Sequence, residues 1–157
     1  MLRHAKSDWS GDEVDLLRPL AARGRRQAPE AGRWLAANVG PVDLALISPA
    51  ARARETWQLT STELAPSPPA LVDDRIYAAS AAELLELVQG LSEESDTVLV
   101  VGHNPGIEDL VSTLAGRQVA MPTAGLAVIG VSGPWATTGP RSATLRASGR
   151  PPTHESP

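Results

Sequence analysis

The chain of 157 residues contains no cysteine and no phenylalanine, and its aromatic residues are limited to four tryptophans and one tyrosine. Without cysteine, neither disulfide bonds nor thiol catalysis is available to it. No apolar run approaches the roughly 20 residues that a membrane helix requires, and the first residues lack the apolar core of a signal peptide. We therefore expect a cytoplasmic protein with no membrane partner.

Several classes of partner are disfavoured by what the sequence has little of. The formal net charge of -4 opposes a general affinity for nucleic acid, and so few aromatic residues cannot form a platform for stacked bases. The sequence has no His-x-His or His-Glu-x-x-His pattern, and no glycine loop with the lysine and spacing of a P-loop. We expect a protein that needs no metal and no cofactor and that binds no nucleic acid, while its oligomeric state is left open.

Apolar periodicity predicts one domain in which strands and helices alternate. Hydrophobic residues make up 42% and charged residues 20%, as in ordinary globular domains. The predicted strands cover residues 43–48, 70–72, 97–101, 125–131 and 143–146. The predicted helices are those with Ala28, Ala31, Leu35 and Val39 on one face, residues 50–64, the segment after the Ser80-Glu83 capping box, and the segment from an Asn104 cap to residue 115. We assign residues 1–146 to the domain and the polar, proline-rich residues 147–157 to a flexible tail.

Arginine and histidine residues follow three of the apolar segments. Arg3 and His4 stand at the start of the chain, Arg52 lies shortly after the strand at 43–48, and His103 follows the strand at 97–101. Because the carboxyl ends of parallel strands meet at one edge of an open α/β sheet, these side chains are predicted to share a cleft. Two arginines and two histidines in one cleft indicate phosphoryl chemistry, since arginine binds phosphate through two parallel hydrogen bonds.

Several motifs occur in an order that resembles the histidine phosphatase superfamily, and most of all its SixA-type branch of phosphohistidine phosphatases. They are residues 2–7, Arg18-Pro19-Leu20 with Arg23-Gly24, residues 48–56, Tyr77, and Gly102-His103-Asn104-Pro105-Gly106. Together they extend from residue 2 to about residue 131, which is more selective than a lone short pattern. The resemblance implies a three-layer α/β/α sandwich with a mostly parallel central sheet, as in phosphoglycerate mutases.

Carried over residue by residue, the resemblance also implies a division of roles. His4 would attack phosphorus through a neutral ring nitrogen and form a phosphohistidine that water hydrolyses. Arg3, Arg52 and a protonated His103 would hold the phosphoryl oxygens. Asn104 and the helix that begins near it would add donors to the same anion.

The general acid of the larger family is a carboxylate that follows a strand, and here Asp73 and Asp74 both occupy that neighbourhood. We choose Asp74. An imidazole leaving group departs readily when it is protonated, so a phosphohistidine substrate does not require a strong acid. Ser48 is predicted to be a turn hydroxyl, and Thr56 a packing residue of its helix.

These residues predict a metal-independent phosphatase that acts on phosphohistidine in a protein or on a small phosphate monoester. A short chain leaves little room for a lid, so an open cleft that admits a protein side chain is expected. The alternative is a non-catalytic phosphate-binding module that keeps the arginines and has lost turnover.

The first strand departs from the family pattern, because only two residues precede Arg3. Strands usually have five or six residues. We expect the natural start to lie upstream, the first strand to be truncated, and His4 to be poorly anchored as a result.

Overall fold

A computed structural model describes residues 1–154 of the chain. The α-helices in these residues are α1 (Ala22–Asn38), α2 (Ala51–Ser61), α3 (Ala81–Gln89) and α4 (Gly106–Ala115). The strands are β1 (Leu2–Arg3), β2 (Leu44–Ile47), β3 (Ala70–Val72), β4 (Val98–Gly102), β5 (Leu126–Val131), β6 (Ala143–Gly149) and β7 (Pro152–His154). Short 3-10 helices lie at Asp15–Leu17, Asp74–Ile76 and Trp135–Thr137. Within residues 1–154, every helix is too short or too polar to cross a membrane.

The strands form one mixed sheet in the order β3-β2-β4-β1-β5-β6-β7. β3, β2, β4 and β1 are mutually parallel, whereas β5, β6 and β7 each run antiparallel to the strand before them in this order. No α-helix separates β5, β6 and β7 along the chain, and strands joined by such direct connections pair antiparallel. β1, β2 and β4 therefore end at the same edge of the sheet.

Helices cover both faces of the sheet. α1 packs on α2 at one face, and α3 packs on α4 at the other. Residues along β2 alternate between the two cores, with Ala45 and Ile47 on the side of α1 and Leu46 on the side of α3. This confirms the predicted three-layer α/β/α sandwich. Burial on both faces explains why the central strands are apolar without interruption.

Most of the predicted helices and strands are confirmed, with boundaries that move by a few residues. α3 begins at the predicted capping box, in which Ser80 Oγ accepts from the backbone of Glu83 and the Glu83 carboxylate accepts from the backbone of Ser80. The start of α4 differs from the prediction. Its N-cap is Pro105, because the Asn104 amide is turned toward the carbonyl oxygen of Met121.

The predicted tail is wrong over most of its length. β6 extends through Gly149, and Pro152–His154 pairs with it as β7. Ala147, assigned to the tail, is 1% exposed in the core. The polar composition was misleading because a terminal hairpin is held mainly by backbone hydrogen bonds and needs little apolar surface. Residues 155–157 of the predicted tail lie outside the described residues.

The first strand has two residues, yet it is paired on both sides. Leu2 lies opposite Val101 of β4 and Leu126 of β5. Beside it, a cavity of about 630 Å³ is lined by Met1 and by residues of β4 and β5. The central position of β1 places the next residue, His4, at the middle of the sheet's carboxyl edge.

Candidate active site

His4 is held firmly just after β1. Its backbone N–H donates to the Gly102 carbonyl at 3.0 Å, and its carbonyl accepts from Ala124 N–H at 3.1 Å. The residue is only 7% exposed. The expectation of a poorly anchored His4 is therefore wrong, because the end of β4 and the loop before β5 supply the hydrogen bonds that fix it.

The hydrogen bonds of the His4 ring define which nitrogen can react. Nδ1 lies 2.8 Å from the carbonyl oxygen of Ala5. Because a carbonyl only accepts, Nδ1 carries the hydrogen and Nε2 keeps its lone pair. The pKa of His4 is lowered to about 3, mainly by burial; the Ala5 hydrogen bond opposes this shift, and electrostatic repulsion by His103, Arg52 and Arg3 contributes to it. At neutral pH the ring is therefore uncharged.

His103 lies against His4, with 5.1 Å between the ring centroids and 54° between the ring planes. Its Nε2 is 2.6 Å from Ser48 Oγ. The pKa of His103 is lowered to about 4, mainly by burial and also by the positive charge of Arg52, while Asp15 opposes the shift. The sequence predicted a protonated His103 beside a neutral His4. The structure instead makes both rings neutral at pH 7, because burial acts on both of them.

Arg52 reaches the same edge from the first turn of α2, where it is buried. Its Nη2 donates to Asp15 Oδ2 at 3.0 Å, and its Nη1 donates to the Asp15 carbonyl at 2.7 Å. Asp15 Oδ2 also accepts from the Tyr77 hydroxyl at 2.7 Å, and Arg18 pairs with the other oxygen at 3.2 Å. The Tyr77 ring in turn meets His103 edge-on at 5.8 Å. Asp15 thus links Arg52 to the groups around the two histidines.

Sequence reasoning missed Asp15. The hydrogen bond from Tyr77 is the main cause that lowers the pKa of Asp15 to about 2, and hydrogen bonds from Arg52 and Arg18 act in the same direction. Its position three residues before the Arg18 motif was the only available signal. That signal is weak, because nothing in the sequence distinguishes Asp15 from the other acidic residues of the segment, Asp12 and Glu13.

Arg3 lies at the end of β1 and contacts the loop before β5. Its Nη1 donates to the Met121 carbonyl at 2.9 Å. The Asn104 amide donates to that carbonyl at 2.9 Å and to Glu108 at 3.2 Å. Both amide hydrogens of Asn104 are thus engaged, and its side chain has no donor left for an anion. Its position supports a role in holding the loop around Met121 rather than the predicted binding of phosphate.

Three nitrogen atoms of the predicted site are buried and have no hydrogen-bond partner among residues 1–154. They are Arg3 Nε, Arg52 Nε and His103 Nδ1. An arginine Nε always carries a hydrogen, so two of these atoms are donors without an acceptor. Leaving a buried donor unsatisfied costs about 1–3 kcal/mol, and more for a charged group. The charges of the two arginines and these unpaired donors make the site a candidate for binding an oxyanion.

The predicted acid, Asp74, lies apart from these contacts. It begins a 3-10 helix, is exposed, and accepts through its carbonyl from the backbone of Tyr77. Its neighbour Asp73 is bound by Arg75 at 2.6 Å. The structure therefore brings together Arg3, His4, Arg52 and His103, whereas Asp74 is an exposed residue outside these contacts.

Two buried hydroxyl groups stabilise the site through hydrogen bonds. Thr56 Oγ1 accepts from the Ala5 N–H at 3.0 Å and donates to the Arg52 carbonyl at 2.6 Å, so it ties the loop after His4 to α2. Ser48 accepts from Ala50 N–H at 3.3 Å, as predicted for a turn hydroxyl, and it also contacts His103. Both residues are fully buried. Their roles are larger than the sequence indicated.

A glycine allows α1 to approach this loop. A Cβ at Gly24 would lie 2.1 Å from the Lys6 carbonyl oxygen, closer than any real contact. The Gly24 of the sequence motif is therefore required by the close packing of α1 against the segment that follows His4.

The fold and the clustered cations define a member of the phosphoglycerate mutase-like α/β class with a candidate oxyanion site. The profile of the Histidine phosphatase superfamily (branch 1) matches residues 1–77. An uncharacterized protein of Mycobacterium tuberculosis is 39% identical over 155 residues, which cover 92% of this chain and 96% of that protein.

Solved structures agree with the profile. A protein of Agrobacterium tumefaciens, provisionally assigned as the phosphohistidine phosphatase SixA, is 32% identical with a TM-score of 0.75, over 82% of this chain and 87% of that one. The SixA homologue of Nakamurella multipartitia, also provisionally assigned, is 28% identical with a TM-score of 0.81, over 94% and 92% of the two chains. The chain belongs to the histidine phosphatase superfamily and resembles its SixA-type members. This membership supports a phosphatase.

Proposed function

We propose that this protein is a metal-independent phosphatase that hydrolyses phosphohistidine in proteins, or small phosphate monoesters, through a covalent phosphohistidine on His4. The observation that carries the proposal is the convergence of Arg3, Arg52 and His103 on the buried, neutral ring of His4, with the Nε donors of both arginines left without an acceptor among residues 1–154. Fixed cations of this kind stabilise the charge that spreads over the equatorial oxygens during phosphoryl transfer. The arginines thus supply the positive charge that a metal ion supplies in other phosphatases.

In the first step, His4 Nε2 attacks phosphorus, the N–P bond forms, and the bond to the leaving atom breaks, so that the leaving group departs with its electron pair and takes up a proton from solvent or from Asp74. Nδ1 keeps its hydrogen bond to the Ala5 carbonyl, so the imidazolium that forms is stabilised at the moment of transfer. In the second step, water attacks phosphorus, the N–P bond breaks, and inorganic phosphate leaves with the two protons of that water, while His4 returns to its neutral form with the hydrogen on Nδ1. A bound phosphoryl dianion raises the pKa of His103 again, and this allows His103 to donate a hydrogen bond to it.

Asp15 orients Arg52 in this proposal. Its carboxylate and its carbonyl hold the two terminal nitrogens of the guanidinium group, and Nε has no acceptor among residues 1–154. The low pKa of Asp15 keeps it ionised at neutral pH, so Asp15 does not serve as the general acid. Asp74 remains the proposed acid for substrates whose leaving group is a poor one.

The test uses 4-nitrophenyl phosphate in the presence of a metal chelator. We expect turnover, inhibition by vanadate, and acid-labile phosphate on His4 after rapid quenching; His4→Ala should abolish all turnover. Arg52→Ala should lower kcat/KM by about 10²–10³-fold, as loss of one transition-state donor does in other enzymes. Arg54→Ala is the matched control, because Arg54 is exposed on the same helix. Phosphate binding without any turnover would favour the non-catalytic module.

A further inference from the structure

A surface loop beside the active site exposes several large apolar side chains to solvent. This loop, residues 9–17, is called the mouth loop below, and every residue in it is exposed. Trp9 is 71% exposed, Val14 67% and Leu17 60%. Apolar side chains of this size that cluster on a surface mark interaction sites more often than chance exposure.

The mouth loop is held in a defined conformation by contacts with the rest of the fold. Its two ends are joined by a bridge between Ser7 and Leu20 and by a hydrogen bond of 2.8 Å from Asp8 N–H to the Pro19 carbonyl. Arg18 stabilises the loop through three contacts. Its side chain bonds to Ser7 and Asp15, and its guanidinium group lies 3.6 Å from the centre of the Trp9 ring. Loops with closely joined ends are compact and frequently functional.

The loop also lies directly against the reaction site. Asp15, between Val14 and the exposed Leu16, bonds to Arg52 and to Tyr77. A small phosphate ester that reaches Arg52 would leave the apolar side chains of the loop in water. A substrate that covers them must carry its phosphoryl group on a larger body.

The charge of the loop specifies the character of that body. Residues 9–17 include Asp12, Glu13 and Asp15 and no lysine or arginine. The Asp15 carboxylate is already neutralised by arginines, whereas Asp12 and Glu13 are exposed. An acidic and apolar surface is complementary to one that carries basic and apolar side chains.

We propose that the mouth loop is the docking surface for a phosphorylated protein substrate whose phosphorylated residue is flanked by apolar and basic side chains. The proposal rests on the proposed phosphatase activity and narrows its substrates to proteins. The loop then supplies affinity through Val14, Leu16 and Leu17, and Asp12 and Glu13 select partners by charge.

The test compares two peptides that each contain one phosphohistidine, one flanked by leucine and lysine and the other by serine and glutamate. Wild-type protein should hydrolyse the first with a kcat/KM at least tenfold higher. The double variant Val14→Ser/Leu17→Ser should lose about tenfold on that peptide and nothing on 4-nitrophenyl phosphate. The control is Leu71→Ser/Val72→Ser, which removes an equally exposed leucine and valine from β3 and should leave both activities unchanged.

Equal kcat/KM values for the two peptides, or an equal loss in the control variant, would overturn the docking proposal while leaving the phosphatase intact. If neither peptide nor the aryl ester is hydrolysed, the proposed function fails, and docking is then decided by calorimetry with the leucine-lysine peptide. Binding that the Val14→Ser/Leu17→Ser variant loses supports the docking surface in that case; binding that is absent from wild type, or unaffected in the variant, refutes it.

Discussion

Lowering the pH from 7 to 5 should destabilise the folded protein in a way that can be assigned to single residues. Folding lowers the pKa of His4 to about 3 and that of His103 to about 4, whereas an unfolded histidine has a pKa of about 6.5. Between these values the unfolded chain binds protons that the folded protein does not. Stability is therefore fully present above pH 6.5 and falls as the pH decreases.

The magnitude follows from linkage. With these pKa values, each ring should cost about 2 kcal/mol of unfolding free energy between pH 7 and pH 5. The Met1 amine, whose pKa burial lowers to about 5, adds a loss of its own that is common to all variants. Asp15 titrates below this range, because its pKa lies at about 2.

Urea unfolding followed by tryptophan fluorescence at pH 7, 6 and 5 measures this dependence. His4→Gln removes one titrating ring, so its loss of stability between pH 7 and 5 should be smaller than that of the wild type by about 2 kcal/mol. His103→Gln should behave in the same way. The comparison uses the change with pH, so any difference in absolute stability at pH 7 does not affect it. An identical slope for His4→Gln and wild type would mean that His4 titrates normally when folded, and the lowered pKa of His4 would be refuted.

Three further predictions concern residues around the site. Asp15→Asn should weaken inhibition by inorganic phosphate about fivefold, because Arg52 loses a charged partner that orients it and that is worth about 1 kcal/mol; an unchanged inhibition constant would contradict the orienting role of Asp15. Thr56→Val should lower the free energy of unfolding by about 1–3 kcal/mol, since the buried Ala5 N–H loses its acceptor, and urea titration checks this. If Asp74 is the general acid, Asp74→Asn should lower the rate of hydrolysis of alkyl phosphates by about 10²-fold or more, and that of 4-nitrophenyl phosphate far less. Equal effects on the two esters would exclude Asp74 as the general acid.

Local sequence predicted the scaffold well because the relevant forces act over short stretches of chain. Uninterrupted apolar runs marked β2 and β4, and the Ser80-Glu83 pair marked the start of α3 within one residue. The same local reasoning was wrong for residues 147–154, where pairing with the antiparallel edge of the sheet, and not composition, forms β7. It was also wrong for Asn104, which was predicted to cap α4. Its amide instead donates to the carbonyl of Met121, 17 residues further along the chain.

The sequence by itself determined the layered α/β fold, the family resemblance, and the prediction that Arg3, His4, Arg52 and His103 share one edge of a sheet. Periodicity and motif order carry this information because parallel strands always bring their carboxyl ends together. Only the tertiary structure decided the protonation of the two histidines and the partner of Arg52. Burial lowers the pKa of both rings, and the Asp15-Arg52 and Asp15-Tyr77 contacts join residues 37 and 62 positions apart. Contacts between residues so far apart in sequence arise from tertiary packing, and no local sequence pattern predicts them.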